Sequence, residues 1–308
     1  MSNKITGHCS KRIYLQTMIA YNPKDWLKLI FIFHKSDTFR MLLPALLIAA
    51  AYSTLLTYLS IEVHYLEFKS TTVIHSLLGF VISMLLVFRT NTAYDRWWEG
   101  RKLWGELVNS SRNFALKINT MIPSEAKNEK DNLNILIGNF PFVLKEHLRG
   151  RFKAVEFETN KTITIEDLNK VNHKPNALIW AIEKEVMQAY KNKNVTNEQL
   201  LLLNDELKTM ANVCGACERI KNTPIPYSYS MFLKKFIFAY VFTMPLGFVY
   251  DFKYWTAPIV VFIFYAFASI ELIAEEIEDP FGTDANDLPL DAIAVTIRTN
   301  VKEIATFE

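Results

Sequence analysis

Lys69-Ser-Thr-Thr-Val-Ile-His75-Ser-Leu-Leu-Gly79-Phe80-Val-Ile-Ser83-Met84-Leu-Leu-Val-Phe88-Arg89 is the stretch that decides the fold class. Residues 70–88 contain no Asp, Glu, Lys or Arg. A helix that crosses a bilayer needs roughly 20 apolar residues, within a range of about 17–25. Residues 70–88 meet that length, and so do residues 41–61, between Arg40 and Glu62. Two more charge-free runs occur, 236–250 and 254–270. The first of these is short, but Lys234 and Lys235 can snorkel and lengthen it. The second extends to 274 if Glu271 faces other helices rather than lipid. Only Asp251-Phe-Lys253 separates the two, which reads as a helical hairpin with Tyr250, Tyr254 and Trp255 as an aromatic belt at the bend. The alternative is a set of buried core helices in a soluble protein.

Composition points the same way. Half of the 308 residues are hydrophobic, so the chain is not disordered. Its 34 basic and 32 acidic residues need water, so it is not wholly embedded. A mixed protein remains, with bilayer spans and a sizeable aqueous part. A net charge of +2 offers no electrostatic case for a nucleic-acid partner. Three cysteines make no disulfide framework. Residues 1–12 lack the apolar core of a signal peptide.

Loop charges set the orientation. Lys4, Lys11, Arg12, Lys24, Lys28, Lys35 and Arg40 precede the first span, and Arg89, Arg96, Arg101 and Lys102 follow the second. The only Lys or Arg residues in the intervening loops are Lys69 and Lys253. The positive-inside rule then places both termini and the long middle in the cytoplasm, as for a protein of the inner, or cell, membrane. The expected organisation is a cytosolic segment over 1–40 and spans over 41–61 and 70–88. A cytosolic helical region over 89–235, spans over 236–250 and 254–274, and a cytosolic end over 275–308 complete it. Within the first segment, residues 13–33 read as an amphipathic helix on the inner surface. Ser124 is a candidate helix N-cap, and Lys161–Glu166 is a brief β-like patch read as a loop.

Few residues offer chemistry. Phosphate-binding loops and His-Glu-x-x-His are absent, so nothing points to an enzyme. Cys214-Gly-Ala-Cys217 is either a redox pair, half a zinc site or simple packing, and packing is favoured because only Cys9 remains as a further thiol. The six histidines are scattered, and His75 is the one inside a span, near its outer end where it can meet water. Phe80, Met84 and Phe88 recur every fourth residue and form one stripe over about 12 Å of helix. Repeated around a ring of subunits, that stripe makes a narrow apolar constriction that gates by dewetting. The plainer reading is a lipid-facing or core stripe. Gly79 and Ser83 sit beside it as small residues suited to close helix approach. Glu271 and Glu275 share a helix face, either as an acidic collar that attracts cations or as a solvated helix end.

Three longer blocks carry a family resemblance. Phe88-Arg89-Thr-Asn-Thr-Ala-Tyr94-Asp95-Arg96-Trp97-Trp98-Glu99-Gly-Arg101-Lys-Leu-Trp104-Gly105 resembles the segment after the second span of bacterial bestrophins. Cys217-Glu218-Arg219-Ile-Lys221-Asn-Thr-Pro224-Ile-Pro226-Tyr227-Ser-Tyr229 is similar to the approach to their third span, and Glu278-Asp-Pro280-Phe281-Gly282 to the segment after their fourth. The resemblance implies an all-α membrane protein: a homopentamer with four spans per subunit, a large cytosolic helical region and one central pore. It implies a neck of three hydrophobic residues on the second span, matched here by Phe80, Met84 and Phe88. A second, cytosolic constriction is implied before the Cys217 block, where Leu201 or Leu202 falls. Animal members conduct chloride and open with calcium; bacterial-type members also include cation conductors. Asp284 and Asp287 match calcium-clasp positions, but Thr283, Ala285 and Asn286 stand where the animal run is acidic. The partners implied are further copies of the chain, the bilayer and permeant monovalent ions. A non-conducting membrane scaffold with a partner-binding cytosolic part is the alternative.

Overall fold

The computed structural model describes residues 38–63, 72–151 and 153–307. The expected amphipathic helix over 13–33 lies outside them, as does Cys9. Among the described residues all regular structure is helical. In chain order the helices are α1 (Thr38–Ile61), α2 (Thr72–Met121), α3 (Lys127–Leu148), α4 (Ile165–Lys170), α5 (Lys174–Lys191), α6 (Asn197–Asn222), α7 (Tyr227–Phe252), α8 (Thr256–Glu278) and α9 (Leu290–Ile304).

The charge-free runs are the cores of longer helices. α2 has 50 residues and does not stop at Arg89. At 1.5 Å per residue it is about 75 Å long, well beyond one bilayer. Its continuity follows from a stripe at three-to-four spacing that never breaks phase: Ile82, Leu86, Arg89, Ala93, half-buried Arg96, Gly100, Trp104, Leu107, Ser111, Phe114 and Ile118, all the others buried. The stripe changes chemistry on the way, from aliphatic to mixed, but not period. Pro123 closes the run. Ser124 does not cap a helix there: it begins a single 3-10 turn, Ser124–Ala126, and no side chain caps α3.

α7 and α8 follow one another with a 3-10 turn, Lys253–Trp255, between them. Lys253 takes a left-handed φ of 49°, which ends α7. Tyr254 ties this bend to α1 by donating its hydroxyl to Glu62 at 2.6 Å. α1 and α2 both pack on the α7–α8 pair and make little or no contact with each other, so the pair lies between them. This leaves one side of α2 without a partner among the described residues.

Two apolar cores result among the described residues. Ile82 and Leu86 of α2 pack with Leu233, Ile237, Tyr240 and Met244 of α7 and Val260 of α8. The larger core joins the second half of α2 (Trp104, Phe114, Ile118) to α3, α5, α6 and α9 through Phe140, Ile182, Met210 and Val301. Cys214 and Cys217 belong to this core. Burial, with the nearby Glu218 carboxylate, pushes the Cys214 thiol up to about 12. Burial and the neighbouring Cys214 raise Cys217 as well. Both thiols therefore stay protonated at neutral pH and pack as small apolar groups.

The larger core carries one buried charge network. Lys145 is fully buried and lies 2.6 Å from Glu156 and 2.7 Å from Asp291. Arg149 reaches Asp291 at 2.9 Å. Burial alone would raise the Asp291 carboxyl, but hydrogen bonds from Lys145 and Arg149 hold it below its ordinary range. The network clamps α9 onto α3. The segment Lys161–Glu166 forms no strand; Thr164 instead caps α4 in a reciprocal pair with Asp167.

Candidate functional site

The first half of α2 has two chemically distinct faces. Ile82, Leu86 and Arg89 are nearly solvent-free. Phe80, Met84 and Phe88 are 66%, 51% and 53% exposed. Among the described residues the stripe is therefore not part of an apolar core. Leu77 and Val73 extend it in the other direction and are exposed too. Past Phe88 the same helical face carries Asn91 and Asp95, both exposed. Asp95 lies seven residues after Phe88, two turns further on. The stripe thus passes from apolar to polar where α2 leaves the charge-free run.

Close packing fixes the other side of α2. A Cβ at Gly79 would meet the Tyr240 hydroxyl at 2.7 Å, so glycine permits α7 to approach. Ser83 turns back on its own helix and donates to the Gly79 carbonyl at 2.8 Å. His75 does not meet water in this chain. It is buried against Tyr240, Phe248 and Gly247, and neither ring nitrogen has a hydrogen-bond partner among the described residues.

Directly after Phe88, α2 is locked to the rest of the subunit. Arg89 is 1% exposed, and its guanidinium lies 2.7 Å from Glu278 and 3.6 Å from Glu271, both on α8. Glu278 also accepts the Ile225 backbone N–H at 2.7 Å. Two helical turns on, Arg96 donates to the carbonyls of Glu278, Ile220 and Thr223. These are orphan carbonyls at the C-terminal ends of α8 and α6, where a cation is favoured by the helix dipole. Arg89 and Arg96 therefore join three helix ends at one junction below the exposed stripe. Glu99 pairs across to Arg219 of α6. Nothing in the spacing of these arginines marks α8 as their partner.

The other expected residues are dispersed. Glu271 and Glu275 do not form an open acidic collar. Glu271 is buried against Arg89, and Glu275 binds Lys234 at 2.8 Å. Leu201 lines a groove with Val186, Met187 and Leu207 between α5 and α6. Leu202 is exposed, and its carbonyl accepts Lys117 from the far end of α2. Asp284 and Asp287 sit in one tight turn that packs on α2. Asp287 is buried; one carboxylate oxygen accepts the Asp284 N–H at 2.5 Å, and the other has no hydrogen-bond partner among the described residues. A Cβ at Gly282 would come within 2.6 Å of this carboxylate. Burial, with Asp284, Asp279 and Glu276 nearby, pushes the Asp287 carboxyl up to about 7, against the opposing Asp284 N–H bond. The turn is anchored to α2 by Trp97, whose indole N–H donates to the Asn286 carbonyl at 3.0 Å. Phe281 covers Gly100 of α2.

The family model of the bacterial/fungal bestrophin proteins matches residues 18–303. The chain belongs to the bacterial/fungal bestrophin family. Among curated relatives of this bestrophin, a voltage-dependent anion channel-forming protein from a Nostoc strain is 38% identical over 231 residues, covering 73% of this chain and 75% of the relative. The voltage-dependent anion channel-forming protein YneE of Escherichia coli is 33% identical over 291 residues, covering 93% and 94%. A crystal structure of a bacterial bestrophin homologue from Klebsiella pneumoniae superimposes with a TM-score of 0.78 at 28% identity, covering 85% of this chain and 98% of that one. Its all-helical fold is thus a bestrophin fold. With apolar helices at Thr38–Ile61, in α2 and over Tyr227–Glu278, the bestrophin described here is a membrane protein.

Proposed function

We propose that this bestrophin is a homopentameric ion channel, with Phe80, Met84 and Phe88 lining a hydrophobic neck on the fivefold axis. One observation carries the reading. The stripe is apolar and exposed, and it lies on the side of α2 that no helix covers among the described residues, while the opposite side is locked by packing and by Arg89. Five such stripes around an axis enclose a dry constriction that passes ions only when it wets or widens. The relatives named as anion channel-forming proteins support conduction. In this reading α1, the first half of α2, α7 and α8 are the four spans, and both termini are cytoplasmic. Both leucines are exposed, and Leu202, whose carbonyl accepts Lys117 at the far end of α2, is the better candidate of the pair for a second, cytosolic constriction.

The neck itself is uncharged and does not choose the sign of the ion. The relatives' names favour anions. One feature favours cations: exposed Asp95 continues the stripe and would contribute five carboxylates to the inner mouth. Current through the purified protein in a planar bilayer under a KCl gradient separates the two. Reversal near the chloride limit makes it an anion channel, and reversal near the potassium limit a cation channel. The absence of current from both the wild type and a neck-widened variant would overturn the channel reading in favour of a scaffold.

A further inference from the structure

Three side chains far apart in sequence meet where α3, α5 and α6 converge in the cytosolic part. His147 lies in the last turn of α3, His173 is the N-cap residue of α5, and Glu218 is in α6, 71 residues after His147. His147 Nε2 is 2.6 Å from Glu218 Oε1, and His173 Nε2 is 2.7 Å from the same oxygen. The two imidazole rings are 4.7 Å apart, centroid to centroid. The two ring nitrogens and the oxygen lie within 4.8 Å of one another. All three side chains are half-buried.

We propose that His147, His173 and Glu218 form a binding site for zinc or a divalent transition metal of similar ligand preference, which ties α3, α5 and α6 together. Two imidazoles and a carboxylate make a borderline donor set that suits zinc better than calcium or magnesium. Three protein ligands leave a fourth tetrahedral position for water, and the partial exposure of the cluster supplies it. A second trio of acids, Glu146, Glu156 and Asp291, is no such site, because the Lys145 ammonium already occupies it.

The geometry also says what the ion must displace. Without metal, the short N···O distances are those of ring N–H groups donating to one carboxylate oxygen. Metal–ligand bonds of about 2.0–2.2 Å put tetrahedral ligand atoms about 3.4 Å apart. Each nitrogen must therefore retreat from the oxygen by less than about 1 Å, within reach of side-chain adjustment. His173 has a further constraint. Its Nδ1 accepts the Asn176 N–H at 3.1 Å, so the metal-free ring carries its proton on Nε2. Coordination through Nε2 moves that proton to Nδ1 and breaks the cap of α5. Metal binding and the α5 cap compete, which makes His173 the weakest of the three ligands. The site stands apart from the pore reading: it involves no residue of α2.

The test uses the full chain in detergent, stripped with a chelator and desalted. Zinc added alone and followed by calorimetry should bind at one ion per chain and raise the thermal midpoint. Cobalt in its place should give visible ligand-field bands without thiolate charge-transfer bands. His147→Ala and Glu218→Gln should each weaken zinc by at least about tenfold, as loss of a ligand exceeds the usual effect of an outer partner. Cys214→Ser should leave binding unchanged. If His147→Ala disturbs assembly, His147→Gln, which keeps a polar group, replaces it with the same expected loss. No zinc binding to the wild type, undiminished binding to the His147 and Glu218 variants, or a thiolate band with cobalt would each overturn the proposal.

Discussion

On one face of α2, Ile82, Leu86, Arg89 and Ala93 are covered by the subunit itself; on the other, Phe80, Met84 and Phe88 stay exposed. Both faces are apolar along the charge-free run, so hydropathy alone does not distinguish them. What separates them is partnership. The covered face is specified by glycine at the α7 contact, by interlocking aliphatic side chains and by a buried ion pair. The open face has no such specification among the described residues, and in the proposed pentamer it is the working surface. Substitutions on the first face should therefore register as stability, and those on the second as conduction.

The largest stability effect is expected at the junction. Arg89→Ala leaves Glu271 and Glu278 buried or half-buried without their shared cation. Removing one partner of a buried pair costs about 3–5 kcal/mol. Unfolding of the purified protein by heat or denaturant should reveal it as a lower midpoint or a loss of assembled protein; a midpoint within a degree of wild type would break the comparison on its covered side. Leu86→Ala comes next. It is 1% exposed in the smaller apolar core and should lose about 2–5 kcal/mol, with ion selectivity unchanged. An altered reversal potential in that variant would mean that Leu86 also faces the pore.

A smaller effect concerns the turn that packs on α2. The folded chain holds the Asp287 proton more tightly than the unfolded chain, whose value is near 3.8, with the folded value about 7. The proton is thus favoured by folding, so this contribution is complete below about pH 4 and is lost as pH rises to about 7. One group changes stability by at most about 1.4 kcal/mol per pH unit. Asp287→Asn should flatten that slope between pH 4 and 7 and leave the variant more stable than wild type at pH 8, measured in chelator. An unchanged slope would show that another group titrates there. Smallest of all is Asp95→Asn on the open face. It should leave stability unchanged and move the reversal potential toward the anion side, if the inner mouth carries five such carboxylates.

Much of this was legible in the residues. The charge-free runs mark the apolar helices because the bilayer length requirement is strict and needs no tertiary information. The four-residue recurrence of Phe80, Met84 and Phe88 is likewise a local signal. Its exposure is not: only packing tells which face of a uniformly apolar helix is covered. The unbroken course of α2 through Arg89 was hidden for a related reason, since its buried stripe passes through arginine, glycine and serine as well as aliphatic residues. Arg89 was visible as a charge at a span end, but its partners lie on α8, nearly two hundred residues later. The acidic run after residue 271 looked like a free collar because the cations that neutralise it, Arg89 and Lys234, come from other helices. His147, His173 and Glu218 had no shared spacing to betray them; three helix termini and turns bring them together.

Single-channel conductance of the triple variant Phe80→Ala, Met84→Ala, Phe88→Ala against wild type tests the central claim most directly. A neck formed by these side chains predicts a larger conductance or a higher open fraction, with thermal stability nearly unchanged, because the removed atoms are not packed in the subunit core. Equal conductance and open fraction in a stable, assembled triple variant would contradict it and return the stripe to the lipid-facing surface.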